Sequence, residues 1–181
     1  MRRPPKPSHE DILWLQDYLP YRLAIVASRM LRDASRVYKS RRNPLNTPQW
    51  RTLCILSNFE PLTATDLCRI SMLDKVAISR ALSQLQRRGF IMRQKLDGDR
   101  RARQVTLTAA GWRYYNELAP EMKGQEQTLR ALLKDGESER LFALLDRFDA
   151  FFAASQRKEN ADVSAERVLR DSYWKNPKGK T

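Results

Sequence analysis

Residues 62–108, reading LTATDLCRISMLDKVAISRALSQLQRRGFIMRQKLDGDRRARQVTLT, constrain this chain more than any other stretch. Thr63-Ala64-Thr65-Asp66 has the form of a capping box, with Thr63 as N-cap and Asp66 three residues on, so a short helix is expected to close near Ile70. A second helix is expected from about Asp74 to Arg88. It ends at Gly89, the residue that most easily takes the left-handed conformation closing a helix. Two extended runs follow, Phe90 to Leu96 and Gln104 to Thr108, around an arginine-laden turn from Asp97 to Arg103.

Helix, turn, helix and a basic hairpin, in that order, outline a winged helix-turn-helix. The longer helix of such a unit enters a DNA major groove, and the hairpin reaches for backbone or minor groove. The periodicity of the second helix agrees. At about 100° per residue, Ile78, Leu85 and Gly89 fall within about 60° of Leu82 and make one apolar face. Val76, Arg80, Ser83 and Arg87 fall on the other side. Long cations, small hydroxyls and small aliphatics can read base edges and thymine methyls, although a plain solvated helix face would have the same composition. The surrounding charge favours DNA: from Arg69 to Arg103 there are ten Lys or Arg against three Asp, and so basic a run needs an anionic partner. Arg80 is the expected base contact, with Lys75, Val76 and Ser79 beside it. Thr63 and Thr65, at a helix N-terminus, suit phosphate oxygens. Arg100 and Arg103 supply charge, and Asp99 orients the wing arginines.

The motifs are more specific than the outline. Leu85-Gln86-Arg87-Arg88-Gly89-Phe90-Ile91-Met92-Arg93 is followed by Asp99-Arg100-Arg101 and then Leu107-Thr108, and Leu45-Asn46-Thr47-Pro48-Gln49-Trp50 lies upstream. In this order the pieces resemble the MarR family (multiple-antibiotic-resistance-type regulators) over about residues 10–155. The resemblance implies a mainly α fold with a small two- or three-stranded β-wing, in which N- and C-terminal helices of two subunits interdigitate as a dimerisation lobe. It implies that Arg101 is the wing arginine entering the minor groove. It also implies a homodimeric, sequence-specific regulator, a repressor of a pseudo-palindromic operator, released by a small anionic or phenolic aromatic bound between the lobes. Tyr18, Arg22, Trp50 and Arg51 are candidates for that effector site by place and chemistry, while each aromatic also reads as a core residue.

Along the chain, residues 1–8 read as a disordered basic arm and 9–155 as a single MarR-like domain. In that domain, helices 10–40 and 109–155 serve dimerisation and 45–108 form the DNA-binding lobe. Residues 156–181 read as a polar tail with one short helix near 161–174. In the first helix Leu19, Leu23, Val26, Met30 and Val37 recur at helical spacing, and Pro20 either ends a short helix at Leu19 or sits in the first turn of the main one. Thr47 is expected to cap the next helix with Pro48 at its first position, the helix running to about Ser57. Thr108 caps a long helix that Pro120 should kink and Asp135-Gly136 should break. The last helix, about Glu137 to Ser155, carries Leu141, Leu144, Leu145, Phe148, Phe151 and Phe152, too much apolar surface to stand alone.

The net charge is +13, which suits a polyanionic partner. The only histidine is His9, and there are six glycines. With no metal-ligand spacing, phosphate loop or nucleophile elbow, no enzyme, metal or cofactor is expected. No apolar run approaches the ~20 residues of a membrane span. The N-terminus lacks the apolar core of a signal peptide, and Cys54 and Cys68 give no disulfide framework, so a cytoplasmic protein is expected. Three rival readings stay open: a thiol-oxidation sensor of the same fold, an architectural DNA-binding protein without a ligand, and a protein-interaction module.

Overall fold

A computed structural model describes the backbone of residue 8 and of residues 10–96 and 99–159. It describes their side chains except those of 95, 96, 99–102 and 155–159. The expected arm and the tail from residue 160 onward lie outside the described residues. The elements are α1 (Leu19–Lys39), α2 (Thr47–Phe59), β1 (Leu62–Thr63), α3 (Ala64–Ser71), α4 (Lys75–Arg87), β2 (Ile91–Leu96), β3 (Asp99–Leu107), α5 (Ala109–Arg130) and α6 (Glu137–Glu159). The fold is mainly helical with one small antiparallel sheet, a winged helix-turn-helix.

Helix boundaries follow capping chemistry. The Thr63 hydroxyl accepts the Asp66 amide at 3.2 Å, and the Asp66 carboxylate accepts the Thr63 amide at 3.0 Å, the reciprocal box that starts α3. Asp74 caps α4 through the Ala77 amide at 2.7 Å. At the other end of α4, Gly89 has φ +70°. Its amide bonds Gln86 O at 2.9 Å while the Phe90 amide bonds Leu85 O at 3.0 Å, a complete Schellman closure that glycine permits. Thr108 caps α5 through the Gly111 amide at 3.0 Å.

Four boundaries depart from the sequence reading. α1 begins at Leu19 and not near Glu10; Tyr18 is its N-cap and Pro20 lies in its first turn, where a missing amide proton costs no helical bond. The cap of α2 is Asn46, which forms a box with Gln49 (3.0 and 2.8 Å), so Thr47 is the first helical residue. The Thr47 hydroxyl instead meets the Tyr38 hydroxyl at 3.1 Å. β3 starts at Asp99, so the arginines expected in a turn lie along a strand. α5 runs through Pro120 but ends at Arg130, before Leu132 and Leu133.

The sheet order is β1-β3-β2, antiparallel throughout. Leu62 pairs with Val105, Ile91 with Leu107, Arg93 with Val105 and Lys95 with Arg103. Residues paired across strands share a face, so Leu62, Ile91, Val105 and Leu107 present one apolar row to the helices. The core gathers that row with Leu53, Leu56, Leu67, Ile78, Leu82, Leu85 and Leu118. This core lies among α2–α5 and the sheet, with Val37 and Tyr38 joining from the end of α1. α6 contributes nothing to it and, among the described residues, has no substantial packing on another element.

Candidate nucleic-acid interface

α4 separates its faces cleanly. Ile78, Ala81, Leu82 and Leu85 are buried, while Lys75, Val76, Ser79, Arg80, Ser83 and Arg87 are all exposed. The burial of one face fixes the rotation of the helix, and that rotation brings together on the outer side the six α4 residues expected to meet DNA. Gln49, buried in α2, sets the depth of α4 from behind: its side-chain amide donates to Gln84 Oε1 at 2.7 Å.

The flanking residues are placed less uniformly. Thr65 is exposed in the first turn of α3. Thr63 does not suit the phosphate role expected of it, because its hydroxyl donates to Asp66 Oδ2 at 2.6 Å and accepts the Asp66 amide. Arg103 is exposed on β3. Arg100 and Arg101 lie in β3 by their backbone, and their side chains, with that of Asp99, fall outside the described part. The wing carries a further cation that the sequence reading did not single out. Arg93 is half-buried on the same sheet face as Arg103, and its Nε and one Nη have no hydrogen-bond partner among the described residues. Burial, then the neighbouring Arg103 charge, lowers its pKa from the usual guanidinium value. Two cations on one face raise the positive potential at the base of the wing.

Met72 was also missed. It closes α3 in the left-handed region at φ +53° and is 82% exposed, so the turn between the two helices projects an apolar side chain where glycine would fit with less strain.

The four effector candidates do not converge within one chain. Trp50 is only 8% exposed. It stacks with both Tyr38 (5.7 Å, 20°) and Tyr115 (5.8 Å, 18°), so its ring is taken up by the protein's own packing. Its neighbour Arg51 donates to Ser71 O at 3.0 Å. Tyr18 and Arg22 sit at the start of α1, whereas Trp50 meets α1 at Tyr38. Sixteen residues of helix separate Arg22 from Tyr38, about 24 Å at 1.5 Å per residue. The sequence reading overlooked this distance because a helical stripe does not say which end of it the next helix meets. Arg22 also donates to Gln16 O at 3.3 Å.

The thiols are poorly placed for redox sensing. Burial pushes Cys54 up to about 12. Cys68 is raised as well, by burial first and then by Asp74, with Lys75 pulling the other way. A thiol held above its ordinary value is protonated and a weak nucleophile near neutral pH. Among the described residues no His, Cys, Asp and Glu cluster could hold a metal, and no helix is long and apolar enough to cross a membrane.

The carboxylate of Glu60, at the end of α2, accepts the Leu107 amide at 2.5 Å and the Trp112 indole Nε1–H at 3.1 Å. It thereby ties α2 to the root of the wing and to α5. No local pattern announces such a contact, because its partners are about fifty positions away.

A family model described as MarR family matches residues 45–102, the segment from the cap of α2 into the wing. No curated protein matches the chain in sequence. Among solved structures, a MarR-family transcriptional regulator from Silicibacter pomeroyi is 27% identical, with a TM-score of 0.65 over 75% of this chain and 90% of its own. The Staphylococcus aureus MepR–DNA complex is 22% identical, with a TM-score of 0.66 over 74% of this chain and 97% of MepR. NadR in complex with 4-hydroxyphenylacetate is 20% identical, with a TM-score of 0.64 over 81% of this chain and 97% of NadR.

Proposed function

Because the chain belongs to the MarR family of winged-helix transcriptional regulators, whose members are generally not enzymes, we propose that it is a homodimeric repressor. It reads a pseudo-palindromic operator in double-stranded DNA and lets go when a small aromatic acid or phenol binds. The observation that carries the reading is the outer face of α4, where Lys75, Val76, Ser79, Arg80, Ser83 and Arg87 stand exposed opposite a fully buried face. MepR, of the same fold, has been solved on DNA. Residues 9–155 act as one unit, the winged helix reading DNA and α1, α5 and α6 joining two copies. Support for the dimer comes from α6, whose Leu141, Leu144, Leu145, Phe148, Phe151 and Phe152 are all exposed in the single chain, as are Leu19, Leu23, Val26 and Met30 of α1. Two apolar helices on one molecule exceed what a monomer ordinarily leaves bare. The effector half of the reading draws on NadR, which holds 4-hydroxyphenylacetate. Trp50 is buried and Arg51 half-buried, whereas Tyr18 and Arg22 stand exposed at the start of α1 and are the aromatic and the cation for such a ligand, which would compete with the Arg22 bond to Gln16 O.

Arg80 gives the direct test. If it reads a base edge, Arg80→Ala should weaken operator binding by ~1–3 kcal/mol and relax selectivity at one position in each half-site, with random DNA bound almost as before. The measurement is a binding titration on operator and scrambled duplexes side by side. An equal loss on both would make Arg80 a phosphate contact and remove the residue on which sequence reading depends.

A further inference from the structure

The C-terminal end of α4 is fastened from the side. Arg88, its C-cap, donates from Nη1 to Pro44 O at 2.9 Å and from Nη2 to Asn43 O at 2.8 Å. Its guanidinium carbon lies 4.9 Å from the centroid of the Phe90 ring, within cation–π range. That ring stacks on Tyr114 of α5 with centroids 4.7 Å apart, and the Tyr114 hydroxyl donates to the same Asn43 carbonyl. Nearby in the loop, Arg41 pairs with Glu121, also of α5. Asn43 and Pro44 follow closely on the end of α1 at Lys39. The end of α4 is therefore joined to the loop that follows α1 and to the first half of α5, and the joint is a planar fork bridging two carbonyls, a geometry that a lysine ammonium does not reproduce.

We propose that Arg88 is not a DNA contact but the positioning residue that fixes the recognition helix to the end of α1, and so sets the half-site separation the dimer accepts. The inference rests on the dimeric, DNA-reading function proposed above. α1 and α5 belong to the part that joins two copies, and α4 is the part that reads DNA, so any looseness between them changes the distance between the two copies of α4. Arg88 and Arg87 are adjacent and chemically alike, yet Arg87 is exposed while Arg88 is half-buried with both Nη groups engaged. Only Arg87 is free to meet a phosphate.

The experiment starts from a duplex enriched from a random library by the wild-type protein. Versions with one base pair inserted or deleted at its centre move one half-site by about 3.4 Å along the axis. Wild type should lose ~10-fold or more in affinity on the altered spacers, within the range that a mismatched base pair costs. Arg88→Lys should be penalised less than ~3-fold while binding random DNA with the wild-type salt slope, since no phosphate contact is lost. Tyr114→Phe, which deletes only the hydroxyl on Asn43, should shift spacer tolerance the same way by a smaller factor. It keeps the test open should Arg88→Lys melt at a much lower temperature. Unchanged spacer discrimination in both folded variants would overturn the proposal. So would a uniform loss on specific and random DNA with a shallower salt slope, which would make Arg88 a phosphate contact. A wild-type protein that enriches no sequence would overturn the parent reading and the clamp's role with it.

Discussion

If the chain dimerises as proposed, replacing Leu144 and Phe148 together by aspartate should give a monomer and weaken binding to a two-half-site operator by ~10²–10⁴-fold, the gain expected from linking two binding modules. Both side chains are exposed in the single chain and lie one helical turn apart on α6. Burial of each against a partner is worth ~1.5–3 kcal/mol, and an aspartate placed there adds the cost of desolvating an unpaired charge. The substitution should leave the reading head intact, because no residue of α6 belongs to the core formed by α2–α5, the sheet and the end of α1. Sedimentation should therefore report a folded monomer, and circular dichroism a helix content close to wild type. A dimer of unchanged affinity would mean that the apolar face of α6 serves something other than self-association.

Gly111→Ala is expected to do its damage inside one chain. An added Cβ would lie 2.0 Å from Phe90 O and 3.0 Å from the Phe90 carbonyl carbon. Phe90 O also accepts the Thr108 amide at 3.0 Å, and the Thr108 hydroxyl donates to Gly89 O at 2.5 Å. The first turn of α5 is thus pressed against the backbone that closes α4, and that backbone has no rotamer by which to move aside. Overpacking of this kind costs 1–3 kcal/mol and occasionally more. Taking about 3 kcal/mol, the melting temperature of a chain this size should fall by roughly 6–12 °C. Operator affinity should fall with it, because relief of the clash tilts α4 against α5. An unchanged melting temperature would mean that the α4–α5 junction is looser than the structure indicates.

Where a boundary is written in local chemistry, the sequence was enough. Thr63 with Asp66, Gly89 after α4 and Thr108 before α5 each act within three or four residues of themselves, and each was legible. The cap of α2, expected at Thr47, lies at Asn46 because both are good caps and proline is tolerated at either of the first two helical positions. Of the two places open to Pro20, the structure takes the first turn of α1; the expected start near Glu10 fails because residues 10–18 carry enough apolar side chains to prolong a helical pattern without forming one. The arginines of β3 resembled a turn because charge and a neighbouring glycine suggest solvent, yet a wing strand paired on one side can carry them. For the exposed face of α4, helical geometry alone sufficed, since a buried stripe implies its opposite. The effector candidates, the Arg88 fork and the Glu60 bridge depend on which distant backbone lies alongside, and composition and periodicity are silent on that. Trp50 shows the difference: an effector candidate that reads equally as a core residue, it is buried against two tyrosines.

The central claim is that α4 and the wing read a DNA sequence and do not merely bind a polyanion. Affinity for a duplex enriched from a random library, set against a scrambled duplex of equal length from 50 to 200 mM salt, tests it most directly. A dimer with ~6–10 phosphate contacts should lose on the order of a thousandfold or more across that range, and at the upper end the enriched duplex should still bind at least ~10³-fold more tightly than the scrambled one. Equal affinity for the two duplexes, or a flat response to salt, would contradict the account.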